Sequence, residues 1–162
     1  MIRIGIIIVC HNIEKNINKN LFVKHLNQAK NLELCLVNNA SRDNTYQILK
    51  EIKELSLIDF SIVDIKKFKS DYSAVRSGAR FMFNQFDLNH LGYVSTNLLN
   101  NRKYSINGLI NHIRENQDLI LEYNKNLKQS SKIKQTLFQS VFSINEYLEK
   151  TSINNQDINY IK

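Results

Sequence analysis

The feature that most constrains this chain is an alternation of short, almost uninterrupted apolar runs with longer amphipathic stretches. Ile4–Val9, Leu32–Val37, Phe60–Ile65 and Leu91–Ser95 have the length and the aliphatic and β-branched content of strands. The stretches between them carry helical spacing. In Thr45–Leu55, Ile48, Leu49, Ile52 and Leu55 share one face; in Ser73–Phe86, Val75, Ala79, Met82, Phe83 and Phe86 do. Strands apolar on both faces must be covered on both faces, and the intervening helices supply the cover. The expected fold is therefore α/β: a mostly parallel sheet in a Rossmann-like three-layer sandwich.

A further helix is expected at about residues 106–116, followed by a short apolar run, Leu119–Leu121, that would add a fifth strand. Beyond Tyr123 the texture becomes polar and lacks a strand-like run, while Leu137, Phe138, Val141, Phe142, Ile144 and Leu148 fall at helical intervals. Residues 1–123 are thus expected to form the α/β body. Residues 124–162 form a helical C-terminal extension packed on it, one domain overall. With no proline, four glycines and no repeat, nothing marks a linker.

The formal charge of +7 would ordinarily point to an anionic partner. Here Asn, Ile and Lys are over-used throughout, Asn at about one residue in seven, so coding bias explains much of the basicity. The apolar N-terminus is too short for a secretory leader and reads as a buried strand. With no run long enough for a membrane span, a cytoplasmic protein is expected. Its two cysteines make no disulfide framework.

In an open parallel sheet, ligands bind outside the carboxyl ends of the strands. Four segments lie there: Val9-Cys10-His11-Asn12, Val37-Asn38-Asn39-Ala40-Ser41-Arg42-Asp43-Asn44-Thr45, Ser70 to Gly78, and Gly92-Tyr93-Val94-Ser95-Thr96-Asn97-Leu98. Ser41 suits either a turn or a ligand contact. Asp43 suits a helix cap.

In this order and spacing, the segments resemble the family-2 glycosyltransferases of the GT-A fold. In that family the first strand ends in a P-T-Y-N-like segment and the second in V-D-D-G-S-x-D-x-T. A lysine ahead of A-V-R-x-G, then G-Y-x-D-A-D-L-A, characterise one branch, answered here by Lys69 to Gly78 and Gly92 to Leu99. The resemblance covers about residues 2–123. It implies a nucleoside-diphosphate sugar, such as a UDP- or GDP-sugar, held by Cys10, His11, Asn12, Asn39, Ser41, Arg76 and Thr96, in a protein of polysaccharide biosynthesis.

Two departures qualify that implication. Amides stand at Asn38 and Asn39, where the family has acids, so base preference is expected to change. Ser95 and Asn97 stand at the D-x-D positions whose carboxylates hold Mg²⁺ or Mn²⁺ in the family. The nearest acids in sequence, Asp87 and Glu115, are not expected to reach that strand end. The sequence therefore assigns no metal ligand and no cofactor. Arg76 is the first candidate to neutralise a diphosphate instead, with Lys69, Arg80, Arg102 and Lys103 behind it.

The family's acceptor-binding half, with its general base, is also unmatched, since Glu146, Glu149 and Asp157 fit no motif. The expectation is a truncated, weakly active or inactive nucleotide-sugar-binding protein. The alternative is a non-catalytic nucleotide-binding or partner-binding subunit, a homodimer included. Catalytic residues are not assigned.

Other chemistries find little support. Cys10, His11 and Cys35 match no zinc spacing. His25, His90 and His112 have no partnered nucleophile. Aromatics at core spacing argue against a nucleic-acid platform, and no glycine-rich phosphate loop is present.

Overall fold

A computed structural model describes residues 3–99, 105–130 and 140–159. The elements are β1 (Ile4–Cys10), α1 (Lys19–Gln28), β2 (Leu32–Asn39), α2 (Thr45–Leu55), β3 (Ser61–Ile65) and α3 (Asp71–Gln85). There follow β4 (His90–Ser95), a 3₁₀ turn (Thr96–Leu98), α4 (Ile106–Glu115), α5 (Gln117–Ser130), β5 (Phe142–Ser143) and α6 (Ile144–Asn159). The sheet runs β3-β2-β1-β4-β5 with every pairing parallel. This is the doubly wound order of a Rossmann-like fold, and its direction reverses between β1 and β4.

Alternation along β1 divides the core. Ile6 and Ile8, with Leu34 and Leu36 of β2, face Phe22 and Leu26 of α1, Leu49 and Ile52 of α2, and Leu109 and Ile113 of α4. Ile7, Val9, Cys35 and Val37 face Ala74, Val75, Ala79 and Met82 of α3. Gly78 lets α3 approach closely: a Cβ there would lie 2.9 Å from Ile7 Cγ2 and 3.0 Å from Val37 Cγ2. Any side chain at this position overpacks the helix–sheet seam, which costs about 1–3 kcal/mol.

Strand register brings the polar segments level. Cys10 lies opposite Asn38, Asn38 opposite Asp64, and Val9 opposite Ser95. One rim of the sheet therefore carries all four strand-end segments.

Two expectations fail. Leu119–Leu121 lies inside α5, where Ile120 is buried and Leu119 is 54% exposed. One residue in and its neighbour out is a helical face, which a three-residue apolar run cannot distinguish from a strand. The fifth strand is instead Phe142–Ser143, in the stretch that lacks a strand-like run, and it pairs with Gly92 and Tyr93. It is held by context. A Cβ on Gly92 would lie 2.9 Å from Phe142 Cζ and 2.8 Å from Ile144 Cδ1, so the bare glycine admits β5 and the start of α6. α5 runs unbroken past Tyr123, and Asn124 is buried with its Nδ2 2.9 Å from His90 Nδ1 on β4. Leu137 and Phe138 lie outside the described residues.

Candidate functional site

The loops after β1 and β2 are joined by a set of hydrogen bonds between their side chains and backbones. Asn12 N–H donates to Ser41 Oγ (3.1 Å), and Asn12 Oδ1 accepts from Arg42 N–H (2.8 Å). Ile13 N–H donates to Thr45 Oγ1 (2.8 Å) and Glu14 N–H to Asp43 Oδ2 (3.2 Å), while Glu14 accepts from the Asn44 backbone and side chain. His11 Nδ1 lies 2.7 Å from the Asn39 carbonyl, which can only accept, so Nδ1 carries the proton. Nε2 is then the lone pair that receives Asn12 Nδ2–H at 3.0 Å. Asn12 and Ala40 both take left-handed backbone, with φ of 50° and 49°. Asn tolerates that region; Ala, at the family's glycine position, does so at a cost of about 1 kcal/mol.

Asp43 accepts Thr45 N–H at 3.0 Å in a turn just ahead of α2, whose N-cap residue, Asn44, makes no side-chain capping bond. Burial pushes its carboxyl up, but the hydrogen bonds from Thr45 and from the Glu14 backbone outweigh that and hold it below the usual range.

The two amides that replace family acids have local partners. Asn39 is fully buried and spans the backbone of Lys69, donating to its carbonyl (2.8 Å) and accepting from its N–H (3.0 Å). An ionised carboxylate could make only the second bond. Asn38 donates to Asp64 Oδ1 at 2.8 Å, where an aspartate would face a second carboxylate. Burial raises Asp64, yet its hydrogen bonds from Lys66 and Asn38 prevail and keep it ionised. Asn38 Oδ1 is buried without a hydrogen-bond partner among the described residues.

Outside the ends of β2 and β3 lies a cleft of ≈700 Å³, bordered by Asn38, Ser41, Arg42, Asp64, Lys67 and Phe68. Phe68 is 57% exposed, and its ring centroid lies 4.8 Å from that of His11. Cys10 does not contribute its side chain. The thiol is 1% exposed in the layer facing α1, and burial pushes it up to about 12. Cys35 faces the opposite layer, with its thiol likewise raised to about 12, so the two do not converge on one metal.

At the end of β4 the residues form a knot. Ser95 is fully buried; its N–H donates to Asn145 Oδ1 (2.8 Å), its carbonyl accepts from Asn145 Nδ2 (3.2 Å), and its Oγ donates to Asp71 Oδ2 (2.8 Å). Thr96 turns back, donating Oγ1–H to the Val9 carbonyl at 2.9 Å. Asn97 is exposed and neutral. A divalent cation, which the family implies here, does not fit this donor set. The first position is buried and committed, and the second carries no charge. No cluster of three or more His, Cys, Asp or Glu side chains suited to a metal exists among the described residues.

Arg76 sits on the exposed side of α3, its guanidinium 5.8 Å from the Tyr72 ring centroid, and borders a second pocket together with Ser95. Arg102 and Lys103 lie outside the described residues. The structure places His11, Asn12, Asn39 and Ser41 together, while Thr96 joins them only through the end of β1. Two further residues, not expected from the sequence, hold the end of β4. Asp71 reaches the β4 end from the first turn of α3, although Asp87 and Glu115 are nearer in sequence. Its signal was its place inside the third strand-end segment. Asn145 arrives from α6 with no sequence signal.

The glycosyl transferase family 2 model matches residues 5–86, about half of the chain, taking in the first three strand-end segments and stopping short of β4. No curated protein matches the sequence. Among solved structures, TarS 1-349 from S. aureus is similar at 14% identity and TM-score 0.45, over 58% of this chain and 27% of that one. The mannosyltransferase PcManGT from Pyrobaculum calidifontis, in complex with GDP-Man and Mn2+, is similar at 20% identity and TM-score 0.37, over 49% of this chain and 24% of that one. The chain spans about a quarter of the length of each.

Proposed function

We propose, from the premise that this chain belongs to glycosyl transferase family 2, that it binds a nucleoside diphosphate or its sugar conjugate, of the UDP or GDP class, without a divalent cation. The observation that carries this reading is the rim itself. The cleft at the ends of β2 and β3 opens on the carboxyl rim of the sheet, where open α/β sheets take ligands, and Ser41 in its lining bonds the loop after β1. Exposed cations border it at Arg42, Lys66 and Lys67, with Arg76 beyond. Neutralisation of phosphate by charge-assisted hydrogen bonds needs no metal. The base would enter beside His11 and Phe68, and the phosphates would lie toward Thr96 and Arg76.

A non-catalytic role is favoured by one specific observation. Ser95, at the position where the family keeps a catalytic metal ligand, is buried and fully hydrogen-bonded. A rim built this way can hold a nucleotide while lacking the metal site through which the family helps a diphosphate leave. Turnover is accordingly expected to be slow or absent, leaving a nucleotide-responsive or partner-binding subunit.

Titration calorimetry with UDP, GDP and their sugars in EDTA tests the reading. Binding is expected for at least one of them and should weaken by about tenfold or more in Arg76→Ala, the equivalent of about 1.4 kcal/mol. If no nucleotide binds, the reading is wrong.

A further inference from the structure

Charge is spread unevenly over the helices. α2 sets Lys50 and Lys53 against Glu51 and Glu54, and α5 sets Lys125 and Lys128 against Asp118 and Glu122. Residues 66–85, the loop after β3 and α3 itself, set Lys66, Lys67, Lys69, Arg76 and Arg80 against Asp71 alone. A coding bias toward lysine raises the charge everywhere and does not concentrate it on one element. Lys66 is paired with Asp64, and Asp71 is held by Ser95 Oγ–H at the end of β4. Lys67, Lys69 and Arg80 are exposed, and among the described residues none of the three makes an ion pair.

These charges stand beside apolar groups on a firm base. Asn39 fixes the Lys69 backbone with two bonds and leaves its side chain exposed. Tyr72, Arg76 and Arg80 follow at intervals of four on the outer side of α3, about 12 Å from first to last. Tyr72 is 65% exposed, and Leu98, 50% exposed, stands with it at the opening between α3 and β4. Among the described residues no other helix contributes to the core layer that α3 covers, so this side of the molecule presents one basic helix and two uncovered apolar side chains.

A tyrosine and a leucine in the open gain from a medium that is polar at its boundary and apolar within. Basic side chains beside them gain from fixed negative charge. An anionic bilayer offers both in one plane. A nucleic acid offers the charge but has no use for Leu98, and its single strands favour grooves of stacked aromatics over the convex side of a helix.

We infer that the α3 face docks on an anionic lipid surface, with Lys69 and Arg80 against the headgroups and Tyr72 and Leu98 at the edge of the acyl region. Arg76 remains with the diphosphate. The nucleotide cleft is lined by Tyr46 and Gln47 of α2 and by no residue of α3, so docking leaves it open and calls on no nucleotide.

Co-sedimentation of the full chain with vesicles of phosphatidylcholine and about one-third phosphatidylserine reads the docking directly. Binding is expected there and not on phosphatidylcholine alone. Raising salt from about 0.1 M to about 1 M shortens the screening length from about 10 to about 3 Å and should weaken binding by about tenfold or more. Lys69→Gln and Arg80→Gln should each weaken it about fivefold, the effect of one charge at such a surface, while Lys125→Gln on α5 should change it less than about twofold. All three side chains are exposed, so the variants should fold. The chain has no tryptophan, so Tyr72→Trp supplies a single reporter, whose emission should move to shorter wavelength on the anionic vesicles. Four results would each overturn the assignment: no binding to the anionic vesicles, a loss in Lys125→Gln as large as in Lys69→Gln, an emission that does not move, or a single-stranded oligonucleotide bound more tightly than the vesicles, which would give the face to nucleic acid.

Discussion

Restoring the family's acid at one buried position should harm this protein, and the harm should depend on pH. Asn39 is fully buried and holds Lys69 through a donated and an accepted bond, of 2.8 and 3.0 Å. In Asn39→Asp, the ionised carboxylate keeps the bond from Lys69 N–H but sets an oxygen against the Lys69 carbonyl. A lost buried hydrogen bond with its partner stranded costs about 1–3 kcal/mol, and an uncompensated buried charge adds to that. A loss of about 3 kcal/mol at pH 7 is expected, or about 6–12 °C in Tm for a chain of this size. The protonated acid, by contrast, can donate to the carbonyl as the amide does. Burial therefore raises the folded pKa of the introduced carboxyl above its unfolded value of about 3.9. The penalty is small below that unfolded value, grows as pH rises toward the folded pKa, and is complete above it. Urea melts of variant and parent at pH 7 and pH 4.5 should show the gap between them narrowing by about 1–2 kcal/mol at the lower pH. A variant as stable as the parent at pH 7, or a gap that does not change with pH, would refute a structural role for Asn39.

Ala40→Gly should stabilise the fold by about 0.5–1 kcal/mol in the same melts, because φ of 49° costs alanine and not glycine; a loss would mean that the turn is held in another conformation. Asn145→Ala strands the buried N–H and carbonyl of Ser95 and should cost about 2–4 kcal/mol, with amide exchange accelerated first at Ser95. An exchange rate unchanged at Ser95 would contradict the knot. Both thiols, raised to about 12 by burial, should resist an aromatic disulfide reagent at pH 8 until the protein unfolds; fast labelling of Cys10 in the native state would return it to the site.

The fold was legible because each of the first four strands is a nearly continuous apolar run, whose length and flanking helices admit one class of architecture. β5 was not, because two residues carry no period. Phe142 and Ser143 are a strand only because Gly92 leaves room beside β4. The site was half legible. Strand-end segments located the rim, since topology alone assigns ligands there. Which atoms remain open was hidden, because Asn12, Asn39, Ser41 and Ser95 spend their hydrogen bonds on partners up to 50 residues away. Residue type could not separate a ligand contact from a clamp: an amide serves both, and only the neighbouring Lys69 backbone or Asp64 carboxylate decides.

That a nucleotide sits on this rim without a cation is tested most directly by amide NMR of the ¹⁵N-labelled chain. UDP and GDP are titrated first in EDTA and then in Mg²⁺. One nucleotide should shift the amides of His11, Asn12, Ser41 and Thr96 in EDTA, with an affinity that Mg²⁺ changes by less than about twofold, as expected where neutral Ser95 and Asn97 stand in place of the family's two carboxylates. Shifts that require Mg²⁺, or that fall away from these four residues, would contradict the account.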